Sequence, residues 1–303
     1  MSPARSAFIV LNGKAAARED VRDAVEAARS DSLDVEVGVT WEGSDAKRLA
    51  RRAAREGFEV VVAAGGDGTV NGVVAGLLAP SDREPPRLGI MPLGTANDLA
   101  RACGIPLDPS KALSLAVSGP GASVDVGLVD ERPFLNVATG GFGASLTTAT
   151  PPELKHLLGG AAYLLTGLTH FNSIRPSRGR LTGPGFRWEG EFLVLAVGNG
   201  RQAGGGHPLC PEAMLDDGLL DVRVLPRLAN DEVPHALRAL LRHGLDAIQH
   251  GVVGARLAHL EVETGETLQI NLDGEPVSGT RFRIELLPKR LTMALPPECA
   301  LLA

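Results

Sequence analysis

The chain has 303 residues, is 44% hydrophobic, and carries a formal net charge of −6 with two Trp and one Tyr. That length can bury a substantial core and suits two domains better than one. The acidic balance excludes a general nucleic-acid binder, which would show a strong basic excess.

Cys103, Cys210 and Cys299 are far apart in the sequence and odd in number, so neither a disulfide framework nor zinc spacing is visible. The start, MSPARSAFIVLNG, reads as a first strand broken by Asn12 and Gly13 rather than as a signal peptide. No apolar run reaches the ~18 residues that cross a bilayer. A cytoplasmic protein is the expectation.

In chain order, Ala7–Leu11 reads as a strand, Arg18–Ser30 as a helix, and Asp34–Thr40, with Val35, Val37 and Val39 alternating, as a second strand. Ser44 is placed to cap a helix over Asp45–Glu56. Its apolar face is Leu49, Ala50, Ala53 and Ala54, and it carries Lys47, Arg48, Arg51, Arg52 and Arg55. Such a cluster is either a solvated helix face or a patch for anionic lipid headgroups.

Val60–Ala64 is a short β-branched and alanine run, as in a strand buried on both faces of a parallel sheet. Gly65, Gly66 and Gly68 follow, then a helix from about Val70 to Leu78. A strand, a glycine-rich turn and a helix aim backbone N–H groups and a helix dipole at one point, which suits phosphate. Asp67 within that turn would repel phosphate unless it holds a cation or handles a proton, so it points to Mg²⁺ and phosphate chemistry. Taken alone the glycines are equally a structural turn. The pattern repeats as strand Leu88–Met91, turn Pro92–Thr95 and helix Ala96–Cys103. Alternating strands and helices predict a doubly wound parallel sheet, with ligands beyond the carboxyl ends of its strands.

From about Ser123 the pattern turns all-β. Val124–Val129 and Phe134–Ala138 read as a hairpin, and apolar runs follow at Phe192–Val197, Leu219–Leu225, Leu260–Val262, Leu268–Leu272 and Phe282–Leu287. Helical insertions are expected at Glu153–Phe171 and about Asp231–Gln249; the first would be core or a wall for an acyl chain. The expected fold is an N-terminal doubly wound α/β nucleotide-binding domain over 1–123, a C-terminal β-sandwich domain over 124–288, and a segment 289–303 returning to the first domain.

Several stretches together resemble the diacylglycerol-kinase catalytic family, most closely its bacterial YegS-type lipid kinases. They are LNGKA at 11–15, VTWEGSDA at 39–46, GGDGTVN at 65–71, GIMPLGTAND at 89–98 and ATGGFGA at 138–144. The similarity continues in GNGRQAGGG at 198–206, LCPEAMLDDGLLDV at 209–222, NLDGEPVSG at 271–279 and LPPECALL at 295–302. The turn Asn12-Gly13-Lys14 departs from the Asn-Pro-x-x-Gly of the wider family and agrees with the YegS-type subgroup.

The resemblance implies an ATP-binding domain shared with NAD kinases and a lipid hydroxyl, of the phosphatidylglycerol or diacylglycerol class, as phosphate acceptor. Thr40, Gly65, Gly66, Asp67, Gly68, Thr69, Val70, Asn71 and Thr95 match its ATP-contacting positions. Glu275 matches its proton acceptor, with Asp273 a close rival, and Asp67 would order Mg²⁺. The Asp217 side chain with the carbonyls of Met214 and Leu219 matches a site for Mg²⁺ or Ca²⁺. The resemblance further implies a role in phospholipid biosynthesis, action at the membrane surface, and room for a homodimer. An NAD kinase using the same GGDGT loop and a non-catalytic nucleotide-binding regulator are the alternatives. Without the resemblance, Asp-Gly-Glu and Asp-Asp-Gly are ordinary turn sequences.

Overall fold

The structure, a computed structural model, describes residues 6–30, 33–81, 83–141, 176–227 and 251–303. The insertions expected at Glu153–Phe171 and Asp231–Gln249 lie outside the described residues. The chain divides into unit 1, Met1–Asp125 with Lys289–Leu302, and unit 2, Val126–Pro288 with Ala303.

Unit 1 runs β1 (Ser6–Asn12), α1 (Glu19–Ser30), β2 (Asp34–Thr40), α2 (Asp45–Glu56), β3 (Val60–Gly65), α3 (Asp67–Leu77), β4 (Arg87–Pro92), α4 (Asp98–Ala102) and α5 (Pro109–Ser118). The strands pair in parallel in the order β4-β3-β1-β2. Each successive strand is reached through a helix, because parallel neighbours need a crossover. Strands β3 and β4 are buried throughout, as expected where helices cover both sheet faces. On one face Ala7, Ile9, Val60 and Val62 pack with Val21 and Val25 of α1 and Leu113 of α5. On the other lie Phe8, Val10 and Val61, with Phe8 ring-on-edge to Phe58 at 5.3 Å. The strand order reverses at β1, so the crevice beyond the carboxyl ends of β1 and β3 is where this topology accepts a ligand.

Three local expectations change. Ser44 does not cap α2 with its side chain; Asp45, the first helical residue, instead reaches back to tie down the preceding turn, its Oδ2 accepting from Trp41 N at 2.8 Å and Glu42 N at 3.0 Å. α3 starts at Asp67 rather than Val70, which puts Asp67, Gly68 and Thr69 inside its first turn. α5 was not anticipated, although Asp108 caps it from its Oδ1 to Lys111 N at 2.9 Å and Pro109 takes the first helical position. Cys103 and Cys299, distant in sequence, meet in the fold: a hydrogen bond that the Cys103 thiol shares with Cys299, together with burial, pushes that thiol well up.

β5 (Gly121–Val129) leads out of unit 1, and unit 2 continues through β6 (Arg132–Phe134), β7 (Val137–Gly141), β8 (Ser177–Gly183), β9 (Phe186–Gly198), β10 (Gln202–Ala203), β11 (His207–Pro208), β12 (Leu220–Pro226), β13 (Val253–Leu257), β14 (His259–Leu272) and β15 (Glu275–Ala294). Its pairing is antiparallel, in the order β13-β12-β9-β7-β14-β15. The long strands β9 and β14 are bridged at one end by β8 and at the other by β7. This sandwich-like closure wraps a core of Leu181, Phe192, Leu195, Val222, Leu260, Val262, Ile270 and Ile284.

The hairpin expected over Val124–Ala138 is shorter. Within that stretch β5 pairs only with β6, over Arg132–Phe134; β5 also pairs with β15, and β7 departs to join β9 and β14. β15 re-enters unit 1 at Lys289, which has φ 50° and donates its N–H to buried Asp125 Oδ1 at 2.6 Å. Met293 then pairs in parallel with Leu88 of β4.

Candidate active site

In unit 1 the site residues gather at the carboxyl ends of the parallel strands. Asn12, at the end of β1, donates from Nδ2 to Thr69 Oγ1 at 3.1 Å and accepts at Oδ1 from Lys14 N at 3.0 Å. Thr40, at the end of β2, accepts from Gly13 N at 3.3 Å. A Cβ on Gly13 would lie 2.4 Å from the Thr40 carbonyl oxygen, so only glycine lets these two turns close.

The β3–α3 turn and the β4–α4 turn touch backbone to backbone. A Cβ on Gly94 would meet Gly66 Cα at 2.4 Å, and Leu93 N donates to Gly65 O at 2.9 Å. Asn97, with φ 50°, holds the second turn from both ends: its Oδ1 accepts from Gly94 N at 2.9 Å and its Nδ2 donates to Gly94 O at 2.8 Å. Thr95 is left exposed at the tip.

Gly66 is the N-cap of α3 and offers no capping side chain, while Thr69 N and Val70 N both turn onto its carbonyl. The opening amides of a helix have no intrahelical partner and sit at the positive end of its dipole. Asp67 stands half-buried at that first position. Thr69, Val70 and Asn71 are buried, and the amides of Thr69 and Val70 are already taken up by Gly66. Asn12, Gly94 and Asn97 complete the cradle; the sequence places the Asn12 and Gly94–Thr95 turns on this edge but does not point to Asn97. LNGKA and GTAND carried the signal, but which member reaches across is a matter of geometry.

In unit 2, Asp273 and Gly274 form a two-residue hairpin turn between Leu272 and Glu275, with φ 48° and 106°. The Asp273 carboxylate reaches back to the start of β7. Its Oδ2 accepts from Leu135 N at 2.8 Å and its Oδ1 from Val137 N at 3.1 Å, while Asn136 N is shared between them at 3.2 and 3.3 Å. Glu275 is exposed, and its side chain has no polar partner recorded among the described residues.

The same segment holds the GNGRQAGGG loop. Asn136 O accepts from Asn199 N at 2.9 Å and Gly200 N at 2.7 Å, Asn136 Nδ2 donates to Gln202 O at 2.5 Å, and Asn199 Nδ2 donates to Leu135 O at 2.8 Å. Gly204, Gly205 and Gly206, all at positive φ, make the tip between β10 and β11.

Asp217 is committed differently from the expectation of a cation ligand. Its Oδ1 accepts from Leu219 N at 2.9 Å and its Oδ2 is ion-paired with Arg256. Arg201, in turn, donates to the Ala213 carbonyl at 2.9 Å and lies against Met214 Sδ at 2.8 Å. Among the described residues no three His, Cys, Asp or Glu side chains cluster as metal ligands.

Comparison with known proteins follows the two units. A diacylglycerol kinase catalytic domain model matches residues 6–129, and a YegS C-terminal NAD kinase beta sandwich-like domain model matches 137–295. A protein of Serratia proteamaculans (strain 568), named "Probable lipid kinase YegS-like", is 45% identical over 303 residues, covering 100% of this chain and 98% of its own. One of the same name from Pseudomonas syringae pv. syringae (strain B728a) is 50% identical over 299 residues, with 98% and 96% covered. A crystal structure described as a diacylglycerol kinase of Bacillus anthracis str. Sterne has a TM-score of 0.74 at 23% identity, covering 99% of this chain and 100% of its own; at that identity it shows the fold alone. The glycine cradle of unit 1 and the Asp-Gly-Glu hairpin of unit 2 therefore sit in a chain that belongs, over essentially its whole length, to the diacylglycerol kinase catalytic family in its YegS-type branch.

Proposed function

We propose that the protein is an ATP-dependent lipid kinase that transfers the γ-phosphate to a hydroxyl of a lipid of the phosphatidylglycerol or diacylglycerol class. The observation that carries the reading is the backbone contact between Gly66 and Gly94, which sets the uncapped start of α3 beside the Thr95 turn. That arrangement gathers N–H donors and dipole for phosphate. The names of the two relatives supply the lipid.

Phosphoryl transfer passes through a loose transition state, so positioning and neutralisation of charge matter more than a strong base. Backbone of Gly66, Gly68 and Thr95 would hold the phosphates, with Thr40 and Asn12 setting the neighbouring turns. Asp67 has the exposure and hard oxygen donors that fit Mg²⁺, which when bound would neutralise phosphate charge. The Met214, Asp217 and Leu219 set fits a cation only if Arg256 first releases the carboxylate.

The two acidic residues of the hairpin take separate parts in this reading. Asp273 accepts from three backbone amides with both carboxylate oxygens and keeps the turn in place. Glu275, with its carboxylate exposed, orients the acceptor hydroxyl and takes its proton. The test is transfer of radiolabelled γ-phosphate from ATP to a panel of lipids and to NAD, separated by chromatography. Label in a lipid upholds the reading; label in NAD alone would replace it with an NAD kinase.

A further inference from the structure

Trp41 is 92% exposed, and its neighbour across one residue, Val39, is 48% exposed. Neither is on a loose end. Val39 belongs to β2, which is last in the sheet order of unit 1, and Trp41 N is pinned to Asp45 Oδ2 at 2.8 Å. The first turn of α2 therefore holds an indole out in solvent on a fixed backbone. A large apolar ring left uncovered on a well-formed turn marks a surface that something else covers.

The outer face of α2 indicates what. Its buried side is Ala46, Leu49, Ala50, Ala53 and Ala54, so the cationic residues all face outward. Arg48 is tied to Asp45, and Arg52 to Glu36 and Glu56. Lys47, Arg51 and Arg55 follow one another at four-residue spacing, hence along one line of the helix, and have no acidic partner recorded among the described residues. Arg83 adds a further cation at the end of α2: its Nη1 lies 2.6 Å from where a Cβ on Gly57 would be. Like charges four apart weaken a helix. They stand out in a chain whose net charge is −6.

We propose that Trp41, the Lys47, Arg51 and Arg55 line and Arg83 form the surface by which this protein seats on an anionic bilayer. The cations meet lipid phosphates and the indole enters the headgroup layer, the depth at which tryptophan is favoured. Its purpose rests on the lipid-kinase reading above, but its geometry does not.

The test uses the full chain and vesicles of phosphatidylcholine, with and without phosphatidylglycerol. Trp188 is the only other tryptophan, so a Trp188→Phe background makes emission report Trp41 alone. The expected result is a blue shift, with quenching by brominated lipid, on anionic vesicles only. In co-sedimentation, Lys47→Glu/Arg51→Glu/Arg55→Glu should bind about a hundredfold more weakly, at roughly fivefold per cation, and wild-type binding should fall with added salt. The triple Gln variant, which neutralises without reversing charge, serves if the Glu variant does not fold. Both should phosphorylate a detergent-dispersed lipid as wild type does.

Unchanged vesicle binding in the Gln and Glu variants, or a Trp41 emission that vesicles do not move, would overturn the proposal. So would a Trp41→Ser variant that binds vesicles normally but needs more ATP, since Trp41 would then belong to the nucleotide site. Equal binding to duplex DNA would reduce the line to a general polyanion patch and also overturn it. If vesicle binding behaves as expected and no lipid is ever phosphorylated, the surface stands and the lipid-kinase reading falls.

Discussion

Asp273 and Glu275 stand two residues apart in one hairpin, yet the fold gives them opposite surroundings. Asp273 accepts backbone N–H groups from Leu135, Asn136 and Val137, whereas Glu275 is exposed. An Asn at 273 keeps one acceptor oxygen and turns an amide donor toward those N–H groups. Asp273→Asn should therefore lower unfolding stability by about 1–3 kcal/mol, measured by denaturant melting, with any loss of turnover accompanying it. Glu275→Gln should leave stability and ATP affinity unchanged while lowering kcat by about 10² to 10⁴. A dead but fully stable Asp273→Asn with an active Glu275→Gln would exchange their roles. The Asp-Gly pair was legible as a turn; the donors for Asp273 come from far upstream, and no local pattern reports that. Asp217 shows the same limit, since Arg256 pairs with it across two strands, β12 and β13, that register only in the fold. Arg256→Ala should free the carboxylate, so added Mg²⁺ or Ca²⁺ should raise the melting temperature of Arg256→Ala more than that of wild type. Equal shifts would place the cation elsewhere.

At the scale of elements, periodicity and turn chemistry located most of unit 1. The bounds of β2 and α2 came directly from alternating valines and from an alanine face. α3 began earlier than expected because glycines in a turn read as a loop, while here Gly68 lies inside the helix and Gly66 caps it. α5 was overlooked although Asp108-Pro109 is a sound start signal, and the short β6 went unseen because Phe134–Ala138 looks like one apolar run. The contact between the two phosphate turns is an element-scale feature with a direct test. Gly94→Ala puts a methyl where Gly66 Cα must be, so it should cost about 1–3 kcal/mol and raise the KM for ATP; an unaffected variant would mean the turns part easily. The start of α2 carries a pH signature. Hydrogen bonds from Glu42 N, Arg48 and Trp41 N lower Asp45 from 3.8 to about 2. A carboxylate held below its unfolded value stabilises fully above that value and loses its effect as pH falls through the folded one. The melting-temperature gap between wild type and Asp45→Asn should therefore hold above about pH 5 and close from about pH 4 toward 2; a gap that widens on acidification would contradict the assignment.

For the molecule as a whole, the described residues fall into two units, each with its own core. Ordered motifs carried the functional reading further than chemistry could, because Gly-rich turns and Asp-Gly hairpins are common when taken singly. We propose that ATP's γ-phosphate ends on a lipid hydroxyl, with Asp67 on the phosphate side and Glu275 on the acceptor side. Incubation of the full chain with γ-labelled ATP, Mg²⁺ and dispersed phosphatidylglycerol or diacylglycerol, followed by chromatography of the lipid extract, tests it most directly. A labelled lipid monophosphate that vanishes in Asp67→Asn and falls at least a hundredfold in Glu275→Gln is the expected result. Label confined to NAD, or ADP release with no labelled lipid in any member of the panel, would contradict it.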